Sequence, residues 1–116
     1  MALRKGASLK KGGDFRLVFR SHKGAKARNL LLKAKPAHQD SSRFGIVIGK
    51  QVSKKAVERN RLRRLLQEAL KDKAELVSSP HDIVLVALPG FSLSGLLEAK
   101  ALVKELFEQT FSKKSA

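Results

Sequence analysis

The residues best suited to chemistry in this sequence are cations and amides that recur at helical spacing. Between positions 59 and 67 they are Arg59, Asn60, Arg63, Arg64 and Gln67. A helix turns by about 100° per residue and would gather them within about 140° of its circumference. Arginine offers planar, bidentate donors to phosphate, and an asparagine beside it suits a 2′-hydroxyl or a base edge. The spacing favours a ribose-phosphate chain as ligand; the competing interpretation is an amphipathic helix whose arginines are only hydrated.

The surrounding stretch predicts the helix that would carry these side chains. Ser53 is a candidate N-cap, and the helix is expected over 54–73. Arg64 and Glu68, four residues apart, are candidates for an ordinary surface ion pair. The apolar residues fall on the opposite side and predict the core-facing stripe: Leu62, Leu65, Leu66, Ala69 and Leu70.

The net charge of the chain is concentrated in its first half. The 116 residues carry 25 Lys and Arg against 10 Asp and Glu, a net charge of +15. Residues 1–64 hold 19 of these cations and three acids, whereas residues 65–116 hold six cations and seven acids. Such a density of like charge repels itself unless a polyanion relieves it. We therefore expect a polyanionic partner. Part of the contact with it would be made by the lysines before the helix: Lys50, Lys54 and Lys55.

The amino-acid composition and the positions of the acidic residues and histidines predict no catalytic residue and no metal site in the chain itself. The absence of cysteine excludes disulfides, thiol nucleophiles and thiolate zinc sites. The acids of the basic half, Asp14, Asp40 and Glu58, are too scattered for a metal nuclease, and no phosphate-binding glycine loop occurs. The three histidines fall in predicted connections, where we expect them at the surface: His22, His38 and His81.

The apolar segments are too short to span a membrane. None approaches the roughly 20 residues that a spanning helix needs. The N-terminus leads into lysine rather than into an apolar signal segment. The expectation is a soluble cytoplasmic protein with neither a membrane partner nor a small-molecule substrate.

Periodicity and turn residues predict one α+β domain with the element order α-β-β-β-α-β-α. The helices should pack on a single mixed sheet. The expected helices are 14–21, 54–73 and a last one that begins at a cap on Ser92 or Ser94 and ends near 111. The expected extended segments are 26–35, broken near Asn29, then 44–49 and 82–88. Residues 1–13 would form a flexible basic arm, 14–111 the RNA-binding domain and 112–116 a frayed tail.

The central block of the chain combines a strand and a basic helix at a specific spacing. Residues 43–50, RFGIVIGK, are a strand ending in lysine, and residues 58–70, ERNRLRRLLQEAL, open on an Arg-Asn-Arg triplet. This block resembles the protein subunit of bacterial ribonuclease P. The upstream segment DFRLVF and the downstream segment DIVLVAL match the same family, so the resemblance covers roughly residues 9–111.

The resemblance implies a protein that binds ribonuclease P RNA and precursor tRNA. The RNA would perform the endonucleolytic removal of the 5′ leader, with Mg²⁺ held mainly by the RNA. It further implies a left-handed crossover between two parallel strands, as in the second domain of a small-subunit ribosomal protein. This handedness is unusual, because crossovers between parallel strands are in general right-handed. By position, the RNA-binding set would be Lys50, Lys54, Lys55, Arg59, Asn60, Arg61, Arg63 and Arg64.

The resemblance also implies a cleft between the first helix and the sheet that receives the single-stranded leader. Phe15, Phe19 and Phe44 would line it, since unpaired bases stack on aromatic rings without regard to sequence. For Phe15 and Phe19, plain core packing is an equal alternative. The chain departs from the family pattern at Lys33, where the family has an aromatic residue, and at Gln51 and Gln67, where it has basic residues.

Two other hypotheses fit the size and charge of the chain. A structural RNA-binding protein of the ribosomal type would bind ribosomal RNA without affecting tRNA maturation. A DNA-binding module would insert the basic helix into a major groove, and duplex DNA would then compete equally with RNA at matched salt.

Overall fold

A computed structural model of the chain describes residues 18, 20, 23–37, 42–71, 73 and 80–111. Four strands and two helices lie in these ranges. The strands are β1 (Lys23–Ala27), β2 (Leu30–Pro36), β3 (Arg43–Val47) and β4 (His81–Ala87), and the helices are α1 (Ala56–Leu70) and α2 (Leu96–Phe111). The predicted arm, the predicted tail and most of the predicted first helix lie outside the described residues.

The four strands form one mixed sheet in the order β1-β2-β4-β3. β1 and β2 are an antiparallel hairpin, β2 and β4 are antiparallel, and β3 and β4 are parallel. α1 connects the parallel pair, because β3 precedes it and β4 follows it in the chain. The predicted α+β class and single mixed sheet are confirmed.

Both helices pack on the same face of the sheet and enclose the apolar core. Strand residues alternate in direction, so Leu30, Leu32 and Ala34 of β2 point to this face and are fully buried. Ile83 and Leu85 of β4 lie beside them in the register. The helices contribute one stripe each: Leu62, Leu66, Ala69 and Leu70 from α1, and Ala99, Leu102, Val103, Leu106 and Phe107 from α2.

A tight turn joins β1 to β2 and contacts the connection that leads to α2. Both turn residues, Arg28 and Asn29, have positive φ, at 52° and 64°. Positive φ at both central residues is typical of the type I′ turn of two-residue hairpins, whose twist matches that of the two strands it joins. The Asn29 carbonyl accepts a hydrogen bond of 2.9 Å from the Leu88 amide. Gly90, with φ of 95°, approaches the Asn29 side chain so closely that a Cβ there would lie 2.9 Å from its amide nitrogen.

The structure corrects two boundaries and one helix cap that the sequence suggested. β1 begins at Lys23, three residues before the start of the predicted extended segment 26–35. α1 begins at Ala56, with Lys55 as its N-cap and no side-chain cap. Ser53 instead accepts a hydrogen bond from the Lys55 amide, 3.2 Å long, just before the helix.

His81 is a buried residue and not the surface residue that its predicted connection suggested. It is the first residue of β4 and is 4% exposed. The Lys23 ammonium donates to its Nε2 at 3.2 Å, and the Phe111 ring meets the imidazole edge-on. The long-range pairing of β1, β4 and α2 therefore buries a side chain that local signals placed in a loop. His22 and His38 lie outside the described residues.

Candidate nucleic-acid interface

α1 presents opposite surfaces to the core and to solvent because its apolar residues repeat at helical spacing. Leu62, Leu66 and Leu70 are buried against the sheet and α2, as the sequence predicted. Leu65 is partly buried against the same cluster. The polar residues on the far side therefore point away from the protein, and this outer face of α1 consists of Asn60, Arg63, Arg64 and Gln67.

The outer face of α1 keeps most of its donors available to a ligand. Arg63 donates from Nη1 to the side-chain Oδ1 of Asn60 at 3.4 Å, and the Asn60 amino group has no hydrogen bond to any other described residue. Arg64 is exposed, and no hydrogen bond or ion pair of its side chain occurs within the described residues. Two guanidinium groups and an amide thus form one donor surface, which is the arrangement that phosphate and ribose oxygens require.

Acidic residues near α1 are engaged away from this outer face. Glu68 pairs with Lys71 at 2.9 Å rather than with Arg64, so the surface pair suggested by the spacing is not formed. The Lys71 hydrogen bond lowers the pKa of the Glu68 carboxyl. Glu58 pairs with Arg61 at 3.3 Å. The positive charge of Arg63 and Arg64 is therefore not neutralised by their own helix.

The basic connection between β3 and α1 adjoins the first turn of the helix. Lys50, Lys54 and Lys55 are all exposed there. Arg59 turns back onto this connection and donates to the Ser53 carbonyl at 2.9 Å. Arg59 is half-buried, so it contributes charge beside the outer face while it also fastens the connection to the helix.

Arg61 does not join the other cations of the predicted set. Its guanidinium donates to the backbone carbonyls of Leu93 and Ser94, at 2.9 and 3.2 Å, and to Glu58. These acceptors lie on the side of α1 that faces α2. The structure therefore separates Arg61 from Asn60 and Arg64, although the three are close in sequence.

The second face of the sheet, turned away from α1 and α2, carries a further group of cations. The register places Lys33 beside Val84, and Lys35 beside Asp82. Lys26 of β1 lies next to Leu31 of β2 on this face. Lys33 and Lys35 alternate with the buried residues of β2, so the period of two in Leu30–Pro36 was the signal that could have identified them.

The other half of the second face, on β3 and β4, combines apolar residues with an ion pair between the two strands. Val47 and Val86 flank Val84, which is fully buried against Val18. Asp82 accepts two hydrogen bonds from the Arg43 guanidinium, at 3.1 and 2.9 Å. This bidentate pair ties β3 to β4 at the start of both strands.

Phe44, one of the three aromatic residues expected to line a leader cleft, lies in the core instead. Phe44 is 3% exposed and points to the helix-covered face, where its ring centroid lies 6.4 Å from that of Phe107. The expectation that Phe44 stacks on a nucleotide is thus corrected: strand alternation places its ring in the core. Phe15 and Phe19 lie outside the described residues.

The described residues offer no set of ligands for a metal ion. No three or more His, Asp or Glu side chains come together in this part of the chain. The carboxylates there do not fit a Mg²⁺ site, and Asp82 is already engaged by Arg43. Within the same residues, no helix is long and apolar enough to cross a membrane.

Comparisons with known proteins agree on one family. The Ribonuclease P family profile matches residues 3–111. A ribonuclease P protein component of Synechocystis is 37% identical over 90 residues, 77% of this chain and 73% of that protein. One from Pseudomonas putida is 42% identical over 77 residues, 66% of this chain and 57% of that protein.

Solved structures show the same fold. The Staphylococcus aureus RNase P protein superposes with a TM-score of 0.78 at 20% identity and covers 91% of this chain and 98% of its own. The Thermotoga maritima RNase P protein gives 0.72 at 23% identity, with 87% and 96% covered. A profile match over nearly the whole chain, together with these relatives, shows that the chain belongs to the ribonuclease P protein component family.

Proposed function

We propose that the chain binds the catalytic RNA of ribonuclease P and its precursor tRNA, and so assists removal of the 5′ leader. The observation that carries this proposal is the outer face of α1, where Asn60, Arg63 and Arg64 present donors that the protein itself leaves largely unused. Family membership supplies the class of partner, and the geometry supplies the surface. Bond cleavage is assigned to the RNA, with Mg²⁺ held mainly by the RNA subunit.

The outer face of α1 and the connection before it would act together on structured RNA. Arg63 and Arg64 bind phosphate oxygens, while the Asn60 amino group donates to a 2′-hydroxyl or a base edge. Lys50, Lys54 and Lys55 extend the positive surface along the chain toward β3. Phosphate contacts of this kind position a protein on RNA without reading its sequence.

The second face of the sheet is the proposed binding surface for the single-stranded leader. Lys26, Lys33 and Lys35 would follow the leader phosphates, and Val47 and Val86 offer an apolar surface to sugars and bases. Phe15 and Phe19 remain proposed stacking residues, with core packing as their alternative. A surface of this composition binds leaders of different sequence, because it contacts features that all nucleotides share.

Reconstitution with a bacterial ribonuclease P RNA tests the proposal. Added at low Mg²⁺, the chain should restore cleavage of a precursor tRNA at the leader junction and should bind that RNA in preference to ribosomal RNA or duplex DNA at matched salt. Retention of ribosomal RNA with no gain in cleavage would favour the ribosomal alternative. Equal competition by duplex DNA would favour the DNA-binding one.

A charge-matched pair of variants assigns the effect to a surface. Replacing Asn60, Arg63 and Arg64 together by alanine removes two positive charges from α1. Replacing Lys100 and Lys104, both exposed on α2, by alanine removes two from another helix. Only the α1 variant should lose RNA affinity and cleavage, and an equal loss in both would mean that net charge alone carries the binding.

A further inference from the structure

We propose that Arg61 is a positioning residue, which holds α1 in the rotation that directs Asn60 and Arg64 toward RNA without itself contacting RNA. This inference rests on the proposed function of the outer face. It separates the two arginines of the Arg-Asn-Arg triplet, Arg59 and Arg61, which are adjacent in sequence to the same asparagine but act on different parts of the molecule.

The hydrogen bonds of Arg61 show that the protein already uses its guanidinium. Nη2 donates to the Leu93 and Ser94 carbonyls at 2.9 and 3.2 Å, and Nη1 donates to Glu58 at 3.3 Å. The planar guanidinium directs one nitrogen to Glu58 and the other to the two carbonyls at the same time, whereas a lysine has a single ammonium nitrogen for all three acceptors. A phosphate that took these donors would leave two carbonyl groups without this partner.

The helical position of Arg61 separates it from the outer face. One residue corresponds to about 100° of rotation, so Arg61 lies a quarter turn or more beyond Asn60, toward α2. Because the helix is rigid, fixing the Arg61 side of α1 against residues 93–94 fixes the direction of Asn60, Arg63 and Arg64 on the other side. The rotation of α1 matters because phosphate and ribose contacts depend on the direction of each donor.

The acceptors of Arg61 are themselves fixed from the opposite side. The Ser94 amide donates to Glu98 Oε1 at 2.6 Å, and Arg28 in the β1–β2 turn donates to Glu98 Oε2 at 3.0 Å. A continuous polar path thus runs from the hairpin through Glu98 and residues 93–94 to Arg61. The N-cap of α1 has no side-chain hydrogen bond, so the Arg61 contacts are a principal polar anchor of the first half of the helix.

Lysine substitutions distinguish positioning from direct contact. Arg61→Lys keeps the charge but loses the fork, so it should weaken binding to ribonuclease P RNA as much as Arg61→Ala does, by about tenfold, within the two- to thirtyfold range of residues that act through neighbours. Arg64→Lys should lose less affinity than Arg64→Ala, because the lysine ammonium still binds a phosphate as a point charge although it lacks the bidentate donors. Affinities are measured with the full chain across a series of KCl concentrations.

Salt dependence and mutational coupling supply further readouts. Arg64→Ala should flatten the log–log salt slope by about 0.7 to 0.9, as expected for one lost phosphate contact. In a double-mutant cycle, Arg61→Ala and Asn60→Ala together should weaken binding by less than the product of their separate effects, because Arg61 acts through Asn60. A multiplicative result would show independent contacts and overturn the proposal.

A destabilised core variant separates positioning from general loss of structure. Ile83→Val leaves a small cavity in the core and should lower the melting temperature without weakening RNA binding. If it weakens binding as much as Arg61→Lys at an equal loss of melting temperature, or if Arg61→Lys binds normally, the positioning role is wrong. If the combined Asn60, Arg63 and Arg64 variant also binds normally, the proposed function itself fails, which is a separate outcome.

Discussion

The two faces of the same sheet differ in what their side chains do. On the face covered by α1 and α2, Leu32 and Leu85 are fully buried in the core. On the second face, the next residues along the same strands include Lys33 and Val84, one charged and half-buried and the other buried against Val18. Because strand residues alternate with a period of two, residues of the core and residues of the proposed RNA-binding surface occupy alternate positions of one segment.

The largest expected effect comes from the helix-covered face. Leu85→Ala should lower the free energy of unfolding by about 2–5 kcal/mol, since it opens a cavity among fully buried side chains. Urea denaturation measures this change. The matched control is Leu31→Ala on the second face, where the side chain is half-buried and the loss should be clearly smaller. Equal losses would remove the distinction between the faces.

The Arg43–Asp82 pair is where the second face should also contribute to stability. Asp82→Asn keeps the shape of the side chain but removes its charge and one of the two oxygens that accept from a partly buried guanidinium, whose side chain is 25% exposed. We expect a loss of about 1–3 kcal/mol in unfolding free energy. Glu68→Gln, at a half-exposed pair, is the control and should leave stability unchanged within error.

Lys33 should affect leader binding and leave stability nearly unchanged. Lys33→Ala is expected to weaken binding of a single-stranded leader severalfold and to flatten its salt slope by at most about 0.7. Binding of precursor tRNA is compared with that of mature tRNA, which lacks the leader. Lys104→Ala on α2 removes the same charge elsewhere. A Lys33 variant that still discriminates fully between the two RNAs would contradict the leader surface.

The smallest expected effect is a pH dependence at Glu98. The Ser94 hydrogen bonds, with the nearby Arg28 charge, lower its pKa below the ordinary value of 4.5. A carboxyl whose pKa is lower in the folded state stabilises the fold above the unfolded value, and this contribution is lost as the pH falls toward the folded value. The stability difference between the unmodified chain and Glu98→Gln should therefore be constant near neutrality and shrink below about pH 4.5.

The stability difference between the unmodified chain and Glu98→Gln is measured by chemical denaturation at a series of pH values. Glu105→Gln, on an exposed part of α2, is the control and should show a weaker trend. A difference that grows on acidification would mean that the Ser94 and Arg28 contacts do not favour the charged carboxylate.

Periodicity in the sequence predicted the core side of α1 and the strands, because burial imposes a regular spacing on apolar residues. It also predicted the outer face of α1 at Asn60, Arg63 and Arg64. It did not predict the position of Arg61, whose carbonyl partners lie more than 30 residues away in the chain. His81 was predicted at the surface and Phe44 in a binding cleft, whereas both are buried. Their burial depends on strands and helices that are distant in sequence. The left-handed crossover stays a prediction from the family resemblance.

The β1–β2 turn has a consequence for engineering the protein. Arginine is disfavoured at the φ of 52° that Arg28 adopts, and glycine would adopt it more easily. The Arg28 side chain, however, binds Glu98 on α2. A glycine at this position would relax the turn but remove the ion pair between the turn and α2. Thermostability screens that select substitutions from local backbone preference alone would therefore overlook a contact that is lost with the arginine side chain.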